Sequence, residues 1–376
     1  MEPFAITVVS GLLFVGSIVY WADPGNRWSG DQFPKRALQP GEILVNPKSN
    51  LDDRALRFSQ LAYIDSPDLV VFGSSRALLV NASLFKKQVR VYNLAVTVTK
   101  VEDYVAFWQT LKKTGKIPKY ILIFVDPWVF NKNATFQYHH VTHRLAEEFS
   151  FTKTTPKGVG ALFERVLHHS AWSQAIYFIT TLPEMMKGME FKYALIQLAL
   201  YHNRAPKLEI MTANNISKQF HGYRSDGSCY MHVPPKPLKQ MQQETLQEIP
   251  RLTNGMTFYH WLKDDNALAM FDLFLKNAET HGVRLFLILP PYQQTALQWF
   301  QADRASSSAM QQYEKSVVSM ASAHPNLPVC NAIDPAFSHC PETEFTDWIH
   351  TNETCTKKVL TACFERSRSW KELLAP

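Results

Sequence analysis

The sequence predicts an α/β fold built on a doubly wound parallel sheet. Short apolar runs alternate along the chain with segments whose apolar residues recur at helical spacing. This alternation is typical of parallel strands joined by right-handed helical crossovers, and continuous apolar runs are typical of strands buried on both faces. The composition, with 46% hydrophobic and 19% charged residues, is that of a globular protein and excludes a disordered or coiled-coil chain.

The first element is an uncharged apolar segment at residues 4–21. In a helix these residues would span about 27 Å, close to the thickness of the bilayer's hydrocarbon core. A cleaved signal peptide would have a shorter apolar stretch and an A-x-A-like site, and neither is present, so an uncleaved anchor is favoured over a cleaved signal or a buried core helix. We assign residues 1–22 to a single-pass transmembrane anchor and the polar, turn-rich residues 23–60 to a juxtamembrane linker.

The charges on either side of this segment indicate which side of the membrane the rest of the chain, here called the body, occupies. Only Glu2 precedes the segment, whereas Arg27, Lys35 and Arg36 follow it. The positive-inside rule then favours a cytoplasmic body. The family resemblance described below implies the opposite side, and the sequence leaves this conflict open.

Five strands are predicted for the sheet: residues 69–72, 89–94, 120–125, 283–289 and, with a weaker signal, 327–331. Apolar spacing predicts a helix over Val101–Lys113 that ends before Gly115, and a second helix that starts at Asp264 or Asp265 and closes at Gly282. About 155 residues separate the third and fourth strands, more than one crossover needs. We therefore predict an α/β domain from residues 61–126 and 264–376, interrupted by a mostly helical insertion at 127–263.

The turn after the first strand is the sharpest local signal for chemistry. Residues 69–77 read LVVFGSSRA, so that Gly73, Ser74 and Ser75 follow a buried strand. Ligands of open α/β sheets bind beyond the carboxyl ends of the strands, where a serine can act as a nucleophile. The alternative is that one of the serines caps the next helix, and the tripeptide alone favours the cap.

Asp347 and His350 form a second candidate near the C-terminus. They stand three residues apart, so both side chains can project from one turn. The carboxylate can then hold the imidazole tautomer while the other ring nitrogen takes a proton from a serine. An early strand–Gly–x–Ser turn and a late Asp-x-x-His in one α/β chain predict a serine nucleophile with a base and an orienting acid.

In the order and spacing of these motifs, the chain resembles the SGNH/GDSL hydrolase superfamily over residues 65–130 and 265–365. It is most similar to the membrane-anchored, cell-envelope branch, which includes alginate O-acetyltransferase-like proteins and the D-alanyl transfer protein of teichoic acid assembly. The resemblance implies a flavodoxin-like sheet. It also implies that Ser75 is the nucleophile, His350 the base and Asp347 the orienting acid.

The departures from the family pattern concern the first block, where the usual Gly-Asp-Ser has become Gly-Ser-Ser as in many envelope members, and the oxyanion hole. The second-block glycine corresponds to Ala95, whose backbone N–H could still donate, and the third block lacks a Gly-x-Asn-Asp motif. The remaining candidate donors are Asn93 and Asn131. Because the loss of one oxyanion donor lowers the rate by about two to three orders of magnitude, either another group substitutes or the site is weak or inactive.

The resemblance implies a serine esterase or O-acyltransferase that acts on acyl esters of a cell-envelope glycan or polymer and needs no metal or organic cofactor. The body would be periplasmic or extracellular, and the partners would be the membrane and a membrane-embedded acyltransferase. The alternative is a catalytically inactive scaffold that binds a glycan or a partner protein. The net charge of +6 without a basic block disfavours nucleic-acid binding.

Neither the histidines nor the cysteines predict a metal site. His139, His140 and His143 have no carboxylate or thiol at a ligand spacing, which favours a polar surface. The five cysteines contain no C-x-x-C pair. Bridges such as Cys330–Cys340 and Cys355–Cys363 would be compatible with an oxidising compartment, but spacing does not determine the pairing, and buried thiols are the alternative.

Overall fold

The computed structural model describes residues 33–45, 53–134, 208–212, 222–231, 236–252 and 255–374. The strands in this part of the chain are β1 (Glu42–Val45), β2 (Leu69–Phe72), β3 (Val91–Asn93), β4 (Tyr120–Phe124), β5 (Glu209–Thr212), β6 (Gly222–Arg224), β7 (Cys229–Tyr230), β8 (Arg284–Leu289) and β9 (Val329–Asn331). The helices are α1 (Asp53–Leu61), α2 (Val101–Lys113), α3 (Leu238–Glu248), α4 (Asp265–Thr280), α5 (Gln294–Ala302), α6 (Arg304–Ala321), α7 (Glu353–Phe364) and α8 (Arg368–Lys371).

A parallel sheet of five strands forms the centre of the fold, which confirms the predicted α/β class. Its order is β3-β2-β4-β8-β9, and every neighbouring pair is parallel. Counted along the chain, these strands stand in the order 2-1-3-4-5, so the direction of winding reverses beside β2. Crossovers leave in opposite directions at such a point and open a crevice at the carboxyl ends of the strands, where ligands bind.

Side chains that alternate along each strand bury the sheet on both faces. In β2, Val70 and Phe72 join a cluster with residues of α2, α4 and α6, whereas Leu69 and Val71 join a second cluster with residues of α7 and α8. All four residues are fully buried. The continuous apolar run therefore reflects helices on both faces of the sheet.

The two helices predicted from apolar spacing are confirmed. Helix α2 spans the predicted residues, and Gly115 beyond it has a φ of +67°, the left-handed conformation of a helix C-terminal cap. Helix α4 is capped by Asp264, whose carboxylate accepts hydrogen bonds from the backbone N–H groups of Asn266 and Ala267. Its residues Phe271 and Phe274 are fully buried against the sheet cluster.

A second, antiparallel sheet, in the order β5-β1-β6-β7, was not predicted. Strand β1 and most of helix α1 lie in residues 23–60, so these parts of the segment are folded structure, which corrects the prediction of a linker. The polar composition was misleading because Arg54 of α1 is buried in a two-pronged ion pair with Asp103. The described part of the predicted helical insertion contains β5, β6 and β7 as well as α3.

The two ends of the predicted insertion lie side by side. The backbone N–H of Lys132 donates to the carbonyl of Leu262 at 2.7 Å, and that of Asp264 donates to Phe130 at 2.9 Å. Because the chain leaves and re-enters the α/β unit at one place, the order of the parallel sheet is undisturbed by the intervening residues.

Three predictions concern segments outside the described residues. These are the apolar segment at residues 4–21, the histidines at 139, 140 and 143, and most of the insertion. Within the described ranges, no helix has the length and apolar character needed to cross a membrane.

Candidate active site

The two neighbouring serines in the turn after β2 differ in hydrogen bonding and in exposure. Ser74 caps a short 3₁₀ turn over Ser75–Ala77, and its hydroxyl accepts a hydrogen bond from the backbone N–H of Arg76 at 3.1 Å. Ser74 is fully buried, whereas Ser75 is partly exposed. The cap, which competes in the sequence with the nucleophile as an interpretation of this motif, therefore belongs to Ser74, and Ser75 is left as the candidate nucleophile.

Gly73 allows the turn to fit between its neighbours. A Cβ atom at this position would lie 2.7 Å from the Cβ of Ala77 and 2.8 Å from the Cβ of Phe124. Real Cβ atoms do not approach this closely, so only glycine permits the chain to turn here beside β4. The glycine thus places Ser75 at the carboxyl edge of the parallel sheet.

Ser75, His350 and Asp347 lie together in one hydrogen-bonded chain. The Oγ atom of Ser75 is 2.7 Å from Nε2 of His350, although the two residues are 275 positions apart in the sequence. Nδ1 of His350 is 2.6 Å from Oδ2 of Asp347. With its proton on Nδ1, the ring donates to the carboxylate and leaves Nε2 to accept the hydrogen of the Ser75 hydroxyl.

The loop itself holds the Asp347 carboxylate in place. Its Oδ1 atom accepts the backbone N–H groups of Ile349 and His350, both at 2.8 Å. Burial raises the pKa of Asp347, but the hydrogen bond and charge of His350, together with these two N–H groups, lower it below its ordinary value. The Asp347 and His350 side chains are 38% and 26% exposed, so both can be reached from solvent.

Two disulfides tie the loop that carries Asp347 and His350 to its surroundings. One, here called the loop disulfide, joins Cys340 to Cys355 and encloses both residues. The other, the helix disulfide, joins Cys330 of β9 to Cys363 of α7. Both differ from the pairs suggested by sequence proximity, because α7 runs back along the sheet and brings its far end to β9.

In the part of the chain that the structure describes, the remaining cysteine and the metal-ligating groups give no separate site. Cys229 is buried and outside the disulfides. Among the described residues, Cys340, Glu344 and Cys355 lie close enough to share an ion. Their sulfurs are joined in the loop disulfide, and a metal ligand requires the thiolate.

The proposed oxyanion donors Asn93 and Ala95 are engaged in structural hydrogen bonds. The side-chain amide of Asn93 donates to the carbonyls of Ala77 and Val80, both at 2.8 Å. The backbone N–H of Ala95 donates to Oδ1 of Asn93 at 2.8 Å. Asn93 therefore holds the turn at Ser75–Ala77, here called the nucleophile turn, against β3, and the N–H of Ala95 fixes the Asn93 side chain. Neither residue presents a donor to a substrate in this conformation.

Asn131, the third candidate, is equally occupied. Its amide donates to the carbonyl of Gly255 at 2.8 Å, and its Oδ1 atom accepts the backbone N–H groups of Asn133 and Leu262. It fastens the chain where the insertion begins and ends. The sequence places Asn131 close to the third strand but contains no signal of these distant partners.

The backbone N–H of Ser75 is the donor left on the nucleophile turn. The first N–H groups of a helical turn have no partner inside it. The N–H groups of Arg76 and Ala77 bond to the hydroxyl and carbonyl of Ser74. Among the described residues, the N–H of Ser75 has no hydrogen-bond partner.

A hairpin formed by β6 and β7 packs against these loops and was missed in the sequence. The backbone carbonyl of Asp226 accepts the N–H of Asn93 at 2.7 Å, and its carboxylate accepts the N–H of Ala82 at 2.6 Å. Gly227 has a φ of +77°, and a Cβ there would overlap the carbonyl oxygen of Asn93. An Asp-Gly pair is a hairpin signal, but nothing local to it indicates the surface that it contacts.

Comparison with known proteins identifies a family without assigning an activity. No curated protein matches the chain. One family model, described as a protein of unknown function (DUF1574), matches residues 46–366, a range that includes Ser75, Asp347 and His350. Since the match covers most of the sequence, the chain belongs to the DUF1574 family.

Proposed function

We propose that the protein is a serine-dependent acyl-ester hydrolase or O-acyltransferase of the SGNH type. The observation that carries the proposal is the chain from Ser75 Oγ through the His350 ring to the Asp347 carboxylate, with contacts of 2.7 and 2.6 Å. A buried or capping serine has no need of an imidazole that is itself oriented by a carboxylate. This arrangement is the one that activates a serine hydroxyl.

The reaction follows from these contacts. Ser75 Oγ forms a bond to the carbonyl carbon of an ester while His350 Nε2 takes the hydroxyl proton. The bond from that carbon to the alcohol oxygen then breaks, and His350 returns the proton to the departing alcohol. Water or a sugar hydroxyl attacks the acyl-enzyme in a second step, with His350 again as base, which releases the acid or the new ester. No metal or organic cofactor takes part.

The fold supports the same proposal. The strand order 2-1-3-4-5 is that of flavodoxin-like sheets, and Ser75 follows the strand at the point where the winding reverses. The resemblance to the SGNH superfamily rests on the same nucleophile turn and base loop. Fold alone does not define a function, so the proposal depends mainly on the three side chains.

The disulfides and the apolar N-terminal segment support a place at the cell envelope. Disulfides persist in oxidising compartments and are rare in the cytosol. Together with an anchor at residues 4–21, they favour a body on the outer face of a membrane, despite the flanking charges. The substrate would then be an acylated glycan or polymer near the bilayer, with a membrane-embedded acyltransferase as partner.

Covalent labelling tests the proposal. The full chain is treated with a fluorophosphonate probe, and the modified residue is identified by mass spectrometry. We expect a single adduct on Ser75 that is lost in Ser75→Ala. The matched control is Ser74→Ala, which removes the cap of the same turn and is expected to lower stability while labelling at Ser75 persists. Equal labelling of Ser75→Ala and the unaltered chain would refute the proposal.

One observation favours a second candidate, an inactive scaffold that binds a glycan or partner protein. The side chain or backbone donors of Asn93, Ala95 and Asn131 are all occupied, which leaves the Ser75 N–H alone on the turn. A site with fewer oxyanion donors is slower by orders of magnitude. If Ser75 is not labelled in the folded chain, the scaffold is the better account.

A further inference from the structure

A buried pair of opposite charges lies directly beside the nucleophile turn. Arg76 follows Ser75 in the sequence, and its Nη1 atom is 3.0 Å from Oδ1 of Asp126, which follows β4. The Arg76 and Asp126 side chains are 2% and 0% exposed. The turn that bears the nucleophile is therefore attached to the neighbouring strand by a pair that solvent does not reach.

The same guanidinium also reaches the next strand of the sheet. Arg76 Nη2 donates to the backbone carbonyl of Pro291, which follows β8. Its carbon atom lies 4.4 Å from the centre of the Tyr292 ring. One side chain thus joins the carboxyl ends of β2, β4 and β8, the three strands at the centre of the site.

A buried ion pair of this kind is weak evidence for a contribution to stability. The removal of two charges from water has a high free-energy cost, and apolar residues of similar volume are often as stable or more so. Burial raises the pKa of Asp126, and the charge of Arg76 opposes that rise. Among the described residues, neither Nε of Arg76 nor Oδ2 of Asp126 has a partner that meets hydrogen-bond geometry.

We propose that Arg76 and Asp126 are positioning residues that hold Ser75 Oγ within reach of His350 Nε2. This inference rests on the proposed function, since it takes Ser75 as the nucleophile. The 3₁₀ turn is only three residues long, and Arg76 is its middle residue. Because the planar guanidinium donates in two fixed directions, it restrains the turn against the residues that follow β4 and β8.

Variants that remove one or both charges of the Arg76–Asp126 pair distinguish a positioning role from a contribution to stability. We expect Arg76→Met or Asp126→Leu alone to lower the urea midpoint sharply, because each leaves one buried charge without its partner. The double variant should recover much of that loss. Its first-order rate constant for fluorophosphonate labelling should nevertheless stay about 10- to 100-fold below that of the unaltered chain, because a misplaced nucleophile reacts slowly. The probe concentration at half-maximal rate should change little.

Two further variants complete the test. Arg76→Lys keeps the charge but not the planar fork, so we expect it to fold and to label slowly. Asp68→Asn breaks an ion pair with Arg90 and Lys119 at the opposite, amino end of the same strands, and should label at the unaltered rate.

Each outcome has a distinct meaning. Recovery of both stability and labelling rate in the double variant would overturn the positioning role while leaving the proposed function intact. If the double variant does not fold, an unaltered labelling rate in Arg76→Lys would likewise overturn the positioning role. Absence of labelling in the unaltered chain would refute the proposed function itself, and the role of the pair with it.

Discussion

The substitution Asp347→Asn separates two tasks that the carboxylate performs. In the structure Oδ1 accepts the N–H groups of Ile349 and His350, and Oδ2 faces Nδ1 of His350 at 2.6 Å. An asparagine can keep the first task with its carbonyl oxygen. Its NH₂ group, however, donates to Nδ1 and so requires the ring proton on Nε2, where it blocks transfer from Ser75.

The two tasks predict effects of different size. Hydrogen bonds to charged groups contribute about 1.5–3 kcal/mol. Since the Asp347 side chain is 38% exposed and asparagine keeps the backbone contacts, we expect a loss of about 1 kcal/mol in the free energy of unfolding. A general base contributes about 10²- to 10⁴-fold to the rate, so the labelling rate of Ser75 should fall at least about 100-fold.

The assay compares the rate constant for fluorophosphonate labelling with the urea midpoint of the same full chain. Asp334→Asn is the matched control, because Asp334 also accepts a backbone N–H, from Ala336 at 2.9 Å, but has no imidazole partner within the described ranges. It should label at the unaltered rate. Asp347→Ala should be as slow as Asp347→Asn and less stable, since it loses both tasks.

The reasoning would be refuted by a folded Asp347→Asn variant that labels within about threefold of the unaltered chain, since a tautomer effect of general-base size could not then be present. The pH dependence gives a second check. Because the pKa of Asp347 is lowered in the folded chain, its carboxylate stabilises the fold above its unfolded pKa. That stabilisation is lost as the pH falls through the folded pKa, and the asparagine variant should not show it.

Three further predictions concern the stability of the fold. Replacement of both cysteines of the loop disulfide by alanine should lower the free energy of unfolding by about 3 kcal/mol, because its sequence separation is 15. The same replacement at the helix disulfide, with a separation of 33, should lower it by about 4 kcal/mol. The labelling rate should nevertheless fall more when the loop disulfide is lost, and the reverse order would contradict this. The hydrogen bond from Arg90 lowers the pKa of Asp68 to about 2, so Asp68 stabilises the fold above its ordinary pKa and loses this effect as the pH falls toward 2. Asp68→Asn should remove that pH dependence and lower the free energy of unfolding at neutral pH by about 1 kcal/mol, a value reduced because Arg90 is exposed. An unchanged acid-unfolding curve would contradict this prediction. Gly227→Ala should lower stability by about 2–4 kcal/mol in urea, because its Cβ overlaps the carbonyl of Asn93 at a φ of +77°; a loss below about 0.5 kcal/mol would show that the hairpin can shift away.

Local patterns in the sequence were sufficient for the central elements. The run at β2, the spacing of α2 and the cap at Asp264 each involve residues a few positions apart, and the structure contains all three. A strand buried on both faces or a helix with one apolar face has a period that neighbouring residues reveal. The class of the fold follows from the alternation of such elements.

Other features depended on partners far away in the chain. Strand β1 pairs with residues 209–212 and 222–224, and no short window contains both sides of that pairing. Asn93, Ala95 and Asn131 are suitable oxyanion donors by residue type, but tertiary neighbours occupy their groups. The disulfide pairing likewise follows from the direction of α7 rather than from spacing.

The sequence by itself determined the α/β class, the turn that holds Ser75 and the residue types of the base loop, because each is encoded within a few neighbouring positions. Only the tertiary structure decided that Ser74 takes the cap, that His350 lies beside Ser75, and that Arg76 is buried against Asp126. The physical reason is that these contacts join the ends of separate strands. Which strand ends meet is decided by packing of the whole sheet, and that packing sums many weak interactions along the chain.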